Sequence, residues 1–357
     1  MTSLQDLQKA QGAIFSESDS TPSTFNNDST IVNQAFQEVA LCDHPVALCD
    51  RTCGGLIKVS GEDRLSFIHN QTTNKIQSLK NREGAISVFV NSTGRTIDLV
   101  TVIVKEKELL ILTSPQQNQP LMQWMDRYIF PFDKVELEDL TGKYAIFTLI
   151  GEKSPEILAE WATESQLHSP EFSHHDINID DTELTLINSS SLKIKGYTLI
   201  IPQDNAPRVW EKLSQKKVSP IGNEAYEKLR IMQGKPKPNH ELTTDYNPLE
   251  AGLWDAISFD KGCYIGQETI ARLNTYKGVK QRLWGIKFAS PVNLSESKLI
   301  TLNGEKVGTI TSHCDTPEGI FALGYIRTKA GGEGLKVMVN EVEGEVISLP
   351  FVRHPEA

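Results

Sequence analysis

GAISVFVNSTGRTIDLVTVIVKEKELLILT, residues Gly84 to Thr113, decides the fold class. Apolar and polar residues alternate along it, the period of a pleated strand with one buried face. The breaks are Asn-Ser-Thr-Gly and Lys-Glu-Lys-Glu, turn-forming or charged and only a few residues long. The run therefore reads as strands joined by hairpins. Upstream, LIKVSG is a strand closing on a turn at Gly61, and DRLSFIHNQTTNKI is a helix after an Asp63 cap, with Leu65, Phe67, Ile68 and Ile76 at near-helical spacing. Downstream, QNQPLMQWMDRYIF is an amphipathic helix with Leu121, Trp124, Met125 and Tyr128 inward. VELEDL and YAIFTLIG are strands, and SPEILAEWATESQ is a helix with Pro155 in its first turn. SHHDINIDDTE reads as an acidic loop, LTLINSS and GYTLIIP as strands, and APRVWEKLSQK as a helix. Helices and hairpin-linked strands in this mixture give an α+β class rather than a βαβ repeat.

After Thr275 the helical period stops. RLWGIKF, LITLNGEKVGTITSH, FALGYIR and KVMVN are short strands between Gly and Asn turns, the pattern of a small barrel or sandwich. The start of the chain is different again. SESDSTPSTFNNDST is too polar to offset the entropy of ordering, so residues 1–42 are expected to be a flexible tail, with one short helix near IVNQAFQEVA. The expected organisation is that tail, an α+β region at 43–275 in two lobes, and a β-barrel at 276–357.

The chain has 357 residues and a formal net charge of -10, which argues against a dedicated nucleic-acid binder. No run approaches the roughly 18 apolar residues of a membrane span, and the start lacks a secretory pattern. A cytoplasmic monomer with reduced thiols is expected. Five cysteines, Cys42, Cys49, Cys53, Cys263 and Cys314, have no disulfide spacing. Cys42, Cys49 and Cys53 lie close in sequence, but no second pair or matched histidines follow, so no metal site is expected.

The chemistry concentrates in DKGCYIGQETIARL, Asp260 to Leu273. A thiol is nucleophilic only as thiolate, and a neighbouring cation lowers its pKa; Lys261 stands two residues before Cys263. Gly262 and Gly266 permit a sharp turn and close backbone approach. The alternative is a small buried core cysteine, the commoner fate of the residue. Asp98, in GRTIDLV, is an acid inside an apolar run. It needs a partner such as Arg95 or Arg127, a wet pocket, or an outward position. Arg230 follows EAYEKL on a helix, where an arginine is most often solvated. Trp254 could stack on a flat ring or fill core. No Walker loop, dinucleotide fingerprint, HExxH or GxSxG is present.

KGCYIGQE resembles the signature loop of the folate-binding YgfZ family, related to the T-protein of the glycine cleavage system. VSGEDRLSFIHNQTTNKI, NSTGRTIDLV, NPLEAGL, VGTITS and ALGYIR resemble other segments of that family, so the likeness spans Leu56 to Val339. The TID segment is similar to that of cyanobacterial and chloroplast members. The resemblance implies a three-lobed ring around a channel that holds tetrahydrofolate, with a C-terminal β-barrel. It implies that Asp98 faces the pterin, Arg230 pairs with a folate carboxylate and Tyr197 lines the channel. Lys261, Cys263, Tyr264, Gly266 and Gln267 form the loop near its mouth. Cys263 and Asp98 are the implied reactive groups.

The chain departs from T-protein at three points. Leu199 and Ile200 follow GYT where T-protein has Gly-Glu, Leu99 follows Asp98 in place of a second acid, and T-protein lacks the cysteine signature. These favour a tetrahydrofolate-binding protein that supports assembly or repair of iron-sulfur clusters in client enzymes. A stable cluster of its own is not expected, since Cys263 has no neighbouring thiol in sequence. A folate-dependent aminomethyltransferase of one-carbon metabolism and a non-catalytic scaffold are the alternatives.

Overall fold

The computed structural model describes residues 2–16, 20–26, 28–30 and 46–355. Cys42 and the helix expected near residues 31–40 lie outside them. The chain forms two compact units, neither continuous in sequence. The first takes residues 1–69, 76–86 and 100–227; the second takes 70–75, 87–99 and 228–357.

The first unit contains a six-stranded sheet in the order Val218–Ile221, Val46–Asp50, Tyr144–Ile150, Gly196–Pro202, Thr182–Ile187, His174–Ile179. Val46–Asp50 pairs parallel with Val218–Ile221 and antiparallel with Tyr144–Ile150. Its core collects Leu48, Phe147, Leu149, Leu186, Leu199 and the fully buried Trp210. The last comes from the helix Ala206–Ser214, whose Val209 and Leu213 are also buried. Five strands, Gly84–Val90, Thr96–Val104, Glu108–Thr113, Gly55–Ser60 and Glu136–Asp139, form a second sheet in that order. The first three are the hairpin-linked strands read from the alternating run.

Three local expectations change. The acidic loop is a strand, His174–Ile179, in register with Thr182–Ile187. Its Ile177 and Ile179 are buried, and Asp180 and Asp181, both at positive φ, make the tight turn that the charges had disguised. The helix read across SPEILAEWATESQ is two, Ser154–Leu158 and Glu164–Leu167. Thr163 forms a capping box with Gln166 and restarts the helix there.

The tail is the third case. Its described residues pack onto the first unit through Leu4, Leu7 and Ala13, with Phe25 inside the core. Gln8 is fully buried and donates to Asp50 Oδ2 at 2.8 Å. Gln11 accepts from Trp210 Nε1 at 2.9 Å. Burial of one phenylalanine contributes roughly 1.5–3 kcal/mol, which a polar composition averaged over forty residues conceals.

The second unit contains a closed barrel in the order Gln281–Phe288, Gly319–Arg327, Glu305–Thr316, Leu299–Leu302, Lys336–Val339, Val342–Ile347, the last strand pairing back onto the first. Asn303-Gly304 and Asn340-Glu341, all at positive φ, make two of its tight turns. Trp284, Ile286, Phe288, Ile310 and Ile326 fill its interior. The unit also takes in residues 228–275, ahead of the barrel expected from 276 onward. Tyr325 donates to Glu241 O at 2.8 Å, and Leu283 N donates to Glu250 O at 3.0 Å. No described helix is long and apolar enough to cross a membrane.

Candidate functional site

In the second unit the main chain between residues 70 and 74 runs along residues 256–265. Ile265 N donates to Asn70 O at 3.1 Å, and Ser258 N to Thr73 O at 3.0 Å. Thr73 Oγ1 donates to Ala256 O at 2.7 Å. Thr73 N donates to Val88 O, and a bridge joins Thr72 to Phe89, so the segment lies along Gly84–Val90, the first arm of the hairpin whose second arm carries Asp98. The other arm is fixed too: Thr96 N donates to Tyr246 O at 2.9 Å, and Arg95 Nη1 to Asp245 O at 2.7 Å.

Cys263 is held at the surface of this framework as an exposed free thiol. The buried-cysteine alternative is thereby excluded. Two buried neighbours present it. Lys261 donates from Nζ to Thr72 O at 2.6 Å and to Asn74 O at 2.7 Å. Its ammonium lies 4.7 Å from the centre of the Tyr264 ring. Tyr264 is itself buried, which pushes its phenol up to about 12. Lysine and tyrosine at positions two before and one after the cysteine thus act as anchors, and Gly262 and Cys263 between them are exposed. Gly266 ends the loop at φ +79°, and the helix Gln267–Thr275 begins with the half-buried Gln267.

Burial pushes Lys261 down to about 7. An unfolded lysine titrates near 10.4. Between those values the unfolded chain binds a proton that the folded protein does not, so this group makes stability rise with pH across the window. The stability of wild type relative to Lys261→Met should therefore grow from pH 7 to pH 9.5 in urea titrations. A difference independent of pH would contradict the placement of the amine.

Asp98 is fully buried on the strand Thr96–Val104, which rules out the outward position. Leu99 is buried beside it. Trp254 is partly exposed, with its ring 5.7 Å from that of Phe259. Glu250 is buried 3.6 Å from Arg95, and desolvation raises its pKa despite a bond from Asn247 N.

Arg230 is 3 % exposed, against the usual solvated state of a helical arginine. Its Nη1 donates to Glu241 Oε2 at 3.0 Å and to Lys235 O at 2.7 Å, and its Nη2 donates to Ser312 Oγ at 3.0 Å. Glu241 Oε1 accepts from the hydroxyls of Thr311 and Ser312, each at 2.6 Å. The guanidinium thus has an internal carboxylate partner, and the pair ties the helix Asn223–Gln233 to the barrel strand Glu305–Thr316.

Tyr197 belongs to the first unit. It is 2 % exposed within the sheet core, and its hydroxyl donates to Leu167 O at 2.7 Å. Burial lifts it to about 12. It reaches one cleft of about 300 Å³, shared with Ser189, Lys193 and Lys195. Ile200 packs with Leu56, Ile103, Leu110, Leu140 and Ile187, an apolar setting with no use for the acid that T-protein carries there.

Sequence reading missed the 70–74 segment and Glu241. A signal existed for the first: Asn70 to Asn74 are five successive polar residues, and Gln71, Thr72 and Thr73 are all buried. Glu241 gave none, because its partners are supplied by residues far along the chain. Among the described residues no group of three or more His, Cys, Asp or Glu is arranged to hold a metal ion.

The model of the GCVT N-terminal domain matches residues 4–261. A chloroplastic protein of Arabidopsis thaliana, named as a candidate transferase, is 38 % identical over 98 % of this chain and 80 % of its own length. An aminomethyltransferase of Desulfitobacterium hafniense is 27 % identical over 80 % of each chain. The crystal structure of the glycine cleavage system aminomethyltransferase T from Bartonella henselae superimposes with a TM-score of 0.82 at 20 % identity, covering 99 % of this chain and 98 % of that one, a likeness of fold. Matched over most of its length by the domain model and by a full-length relative, this chain belongs to the GCVT N-terminal domain family.

Proposed function

We propose that this protein binds tetrahydrofolate and supports the assembly or repair of iron-sulfur clusters in client enzymes, acting through Cys263 as a member of the YgfZ branch of its family. The observation that carries the reading is the exposed thiol of Cys263 between two buried anchors, Lys261 and Tyr264. A cysteine kept only for packing needs no such mounting.

The residues suit a reduced folate in part. Asp98 supplies a buried carboxylate of the kind that matches N–H groups on a pterin edge, and the KGCYIGQE loop supplies a backbone shaped by Gly266. Tyr197 and Arg230 make internal bonds, so they serve this reading as supports, and cations other than Arg230 would meet the glutamate tail. Tetrahydrofolate, when bound, supplies a one-carbon carrier and a reductant. The chain's own part is to hold the pterin at Asp98 and to present a thiol accessible to a client protein.

The test uses cells that lack the endogenous counterpart. Cys263→Ala should fold normally and bind tetrahydrofolate with nearly wild-type affinity, yet fail to restore the activity of an iron-sulfur enzyme. Full restoration by that variant would remove the thiol from the function. Aminomethyl transfer is the second reading, favoured by the Desulfitobacterium relative. Turnover of an aminomethyl donor by the purified protein, insensitive to Cys263→Ala, would establish it instead. A flat calorimetric titration with tetrahydrofolate would leave a scaffold.

A further inference from the structure

Gln71 closes the helix Arg64–Gln71 and is 4 % exposed. Its neighbours on either side are committed to the cysteine loop. Asn70 O accepts from Ile265 N, two residues after Cys263, and Thr72 O accepts from Lys261 Nζ, two residues before it. Gln71 therefore lies between two residues whose main-chain carbonyls hold the cysteine segment. Yet Gln71 Oε1 is a buried acceptor that no donor among the described residues reaches. No other such atom belongs to the segment bonded to the loop.

A buried amide oxygen without a donor is costly, and native proteins satisfy nearly all of them. A residue kept only for packing would be an aliphatic side chain of similar volume, such as methionine. The orphan is explained if its donor arrives with the ligand. We infer that Gln71 is a ligand-reading residue, its Oε1 accepting a hydrogen bond from an N–H group on the pterin edge of a reduced folate. The inference rests on the folate reading above and deepens it. It assigns a specificity contact to the helix end opposite the cysteine loop, separate from Asp98. Such a contact discriminates strongly, because a ligand without the N–H leaves the buried oxygen unpaired.

Gln71→Met removes the acceptor at nearly constant volume. In the unliganded protein it should leave the melting temperature unchanged or raise it. Tetrahydrofolate should then bind at least about tenfold more weakly by calorimetry, on the scale of a lost hydrogen bond. Equal affinity in Gln71→Met and wild type overturns the inference while leaving the folate reading intact. A wild-type protein that gives no titration overturns the folate reading, and this inference with it. A lower melting temperature with unchanged affinity assigns Gln71 to the scaffold and also overturns it. If both quantities fall, Gln71→Glu, which keeps an acceptor oxygen, decides. Affinity recovered above that of Gln71→Met supports the contact, and no recovery refutes it.

Discussion

Glu241→Ala is expected to cost the fold about 3–5 kcal/mol, the range for stranding one partner of a buried ion pair. Glu241 is fully buried and accepts from donors on a helix, a loop and two barrel strands: Arg230, Lys237 N, Thr311, Ser312 and, through its main-chain oxygen, Tyr325. Alanine deletes four of these bonds and takes from a buried guanidinium the carboxylate that its Nη1 bonds. The charge cannot be shed, because arginine does not deprotonate in proteins. Urea titration followed by tryptophan fluorescence measures the loss. Arg230→Met/Glu241→Met should recover much of it, since apolar residues of similar volume often replace a buried pair at little cost. A loss below about 1 kcal/mol for Glu241→Ala, the level of a surface pair, would mean that the network does not hold the unit together.

Gly266→Ala should be the second largest effect, and it reaches the thiol directly. Gly266 sits at φ +79°, where a side chain costs roughly 1–2 kcal/mol by itself. A Cβ there would also lie 2.6 Å from Asn91 O and 2.9 Å from Gly94 Cα. Both are backbone atoms of a turn that Asn91 pins through its side chain, which accepts from Thr93 N and Arg95 N. Neither can swing aside as a flexible side chain would. Gly142 provides the control, because it has φ +81° with nothing within 4 Å of the added atom. Gly142→Ala carries the conformational cost alone, and Gly266→Ala should exceed it clearly in thermal melting. It should also make Cys263 react differently with a thiol reagent, since the loop must move. Equal melting shifts for the two variants would show that the loop and the turn do not press together as described.

Much of this molecule was legible in one dimension. The alternating run Gly84–Thr113 became three hairpin-linked strands, and the loss of helical period after Thr275 became a closed barrel. Those features follow from local rules: period two for a pleated strand, and Asn and Gly where the backbone must reach positive φ. The cysteine loop stood out because glycine, lysine and cysteine together make poor core and poor helix. Averages misled where a few residues outweighed their surroundings. Phe25 and Gln8 anchor a polar leader, and Ile177 and Ile179 carry a strand through acidic neighbours.

Sequence by itself determined the strand periods, the turns, the family likeness and the identity of the unusual thiol. Only the tertiary structure decided which polar groups are spent inside the protein. The family resemblance implied a folate partner in Arg230 and a channel-lining residue in Tyr197, and the internal bonds to Glu241, Ser312 and the Leu167 carbonyl became visible only in three dimensions. Gln71 had no signal of its own until its oxygen proved to be buried without a donor. The physical reason is range. Periodicity and turn chemistry act over a few residues, whereas desolvation and hydrogen-bond satisfaction depend on partners brought from far along the chain, 189 positions away for Lys261 and Thr72.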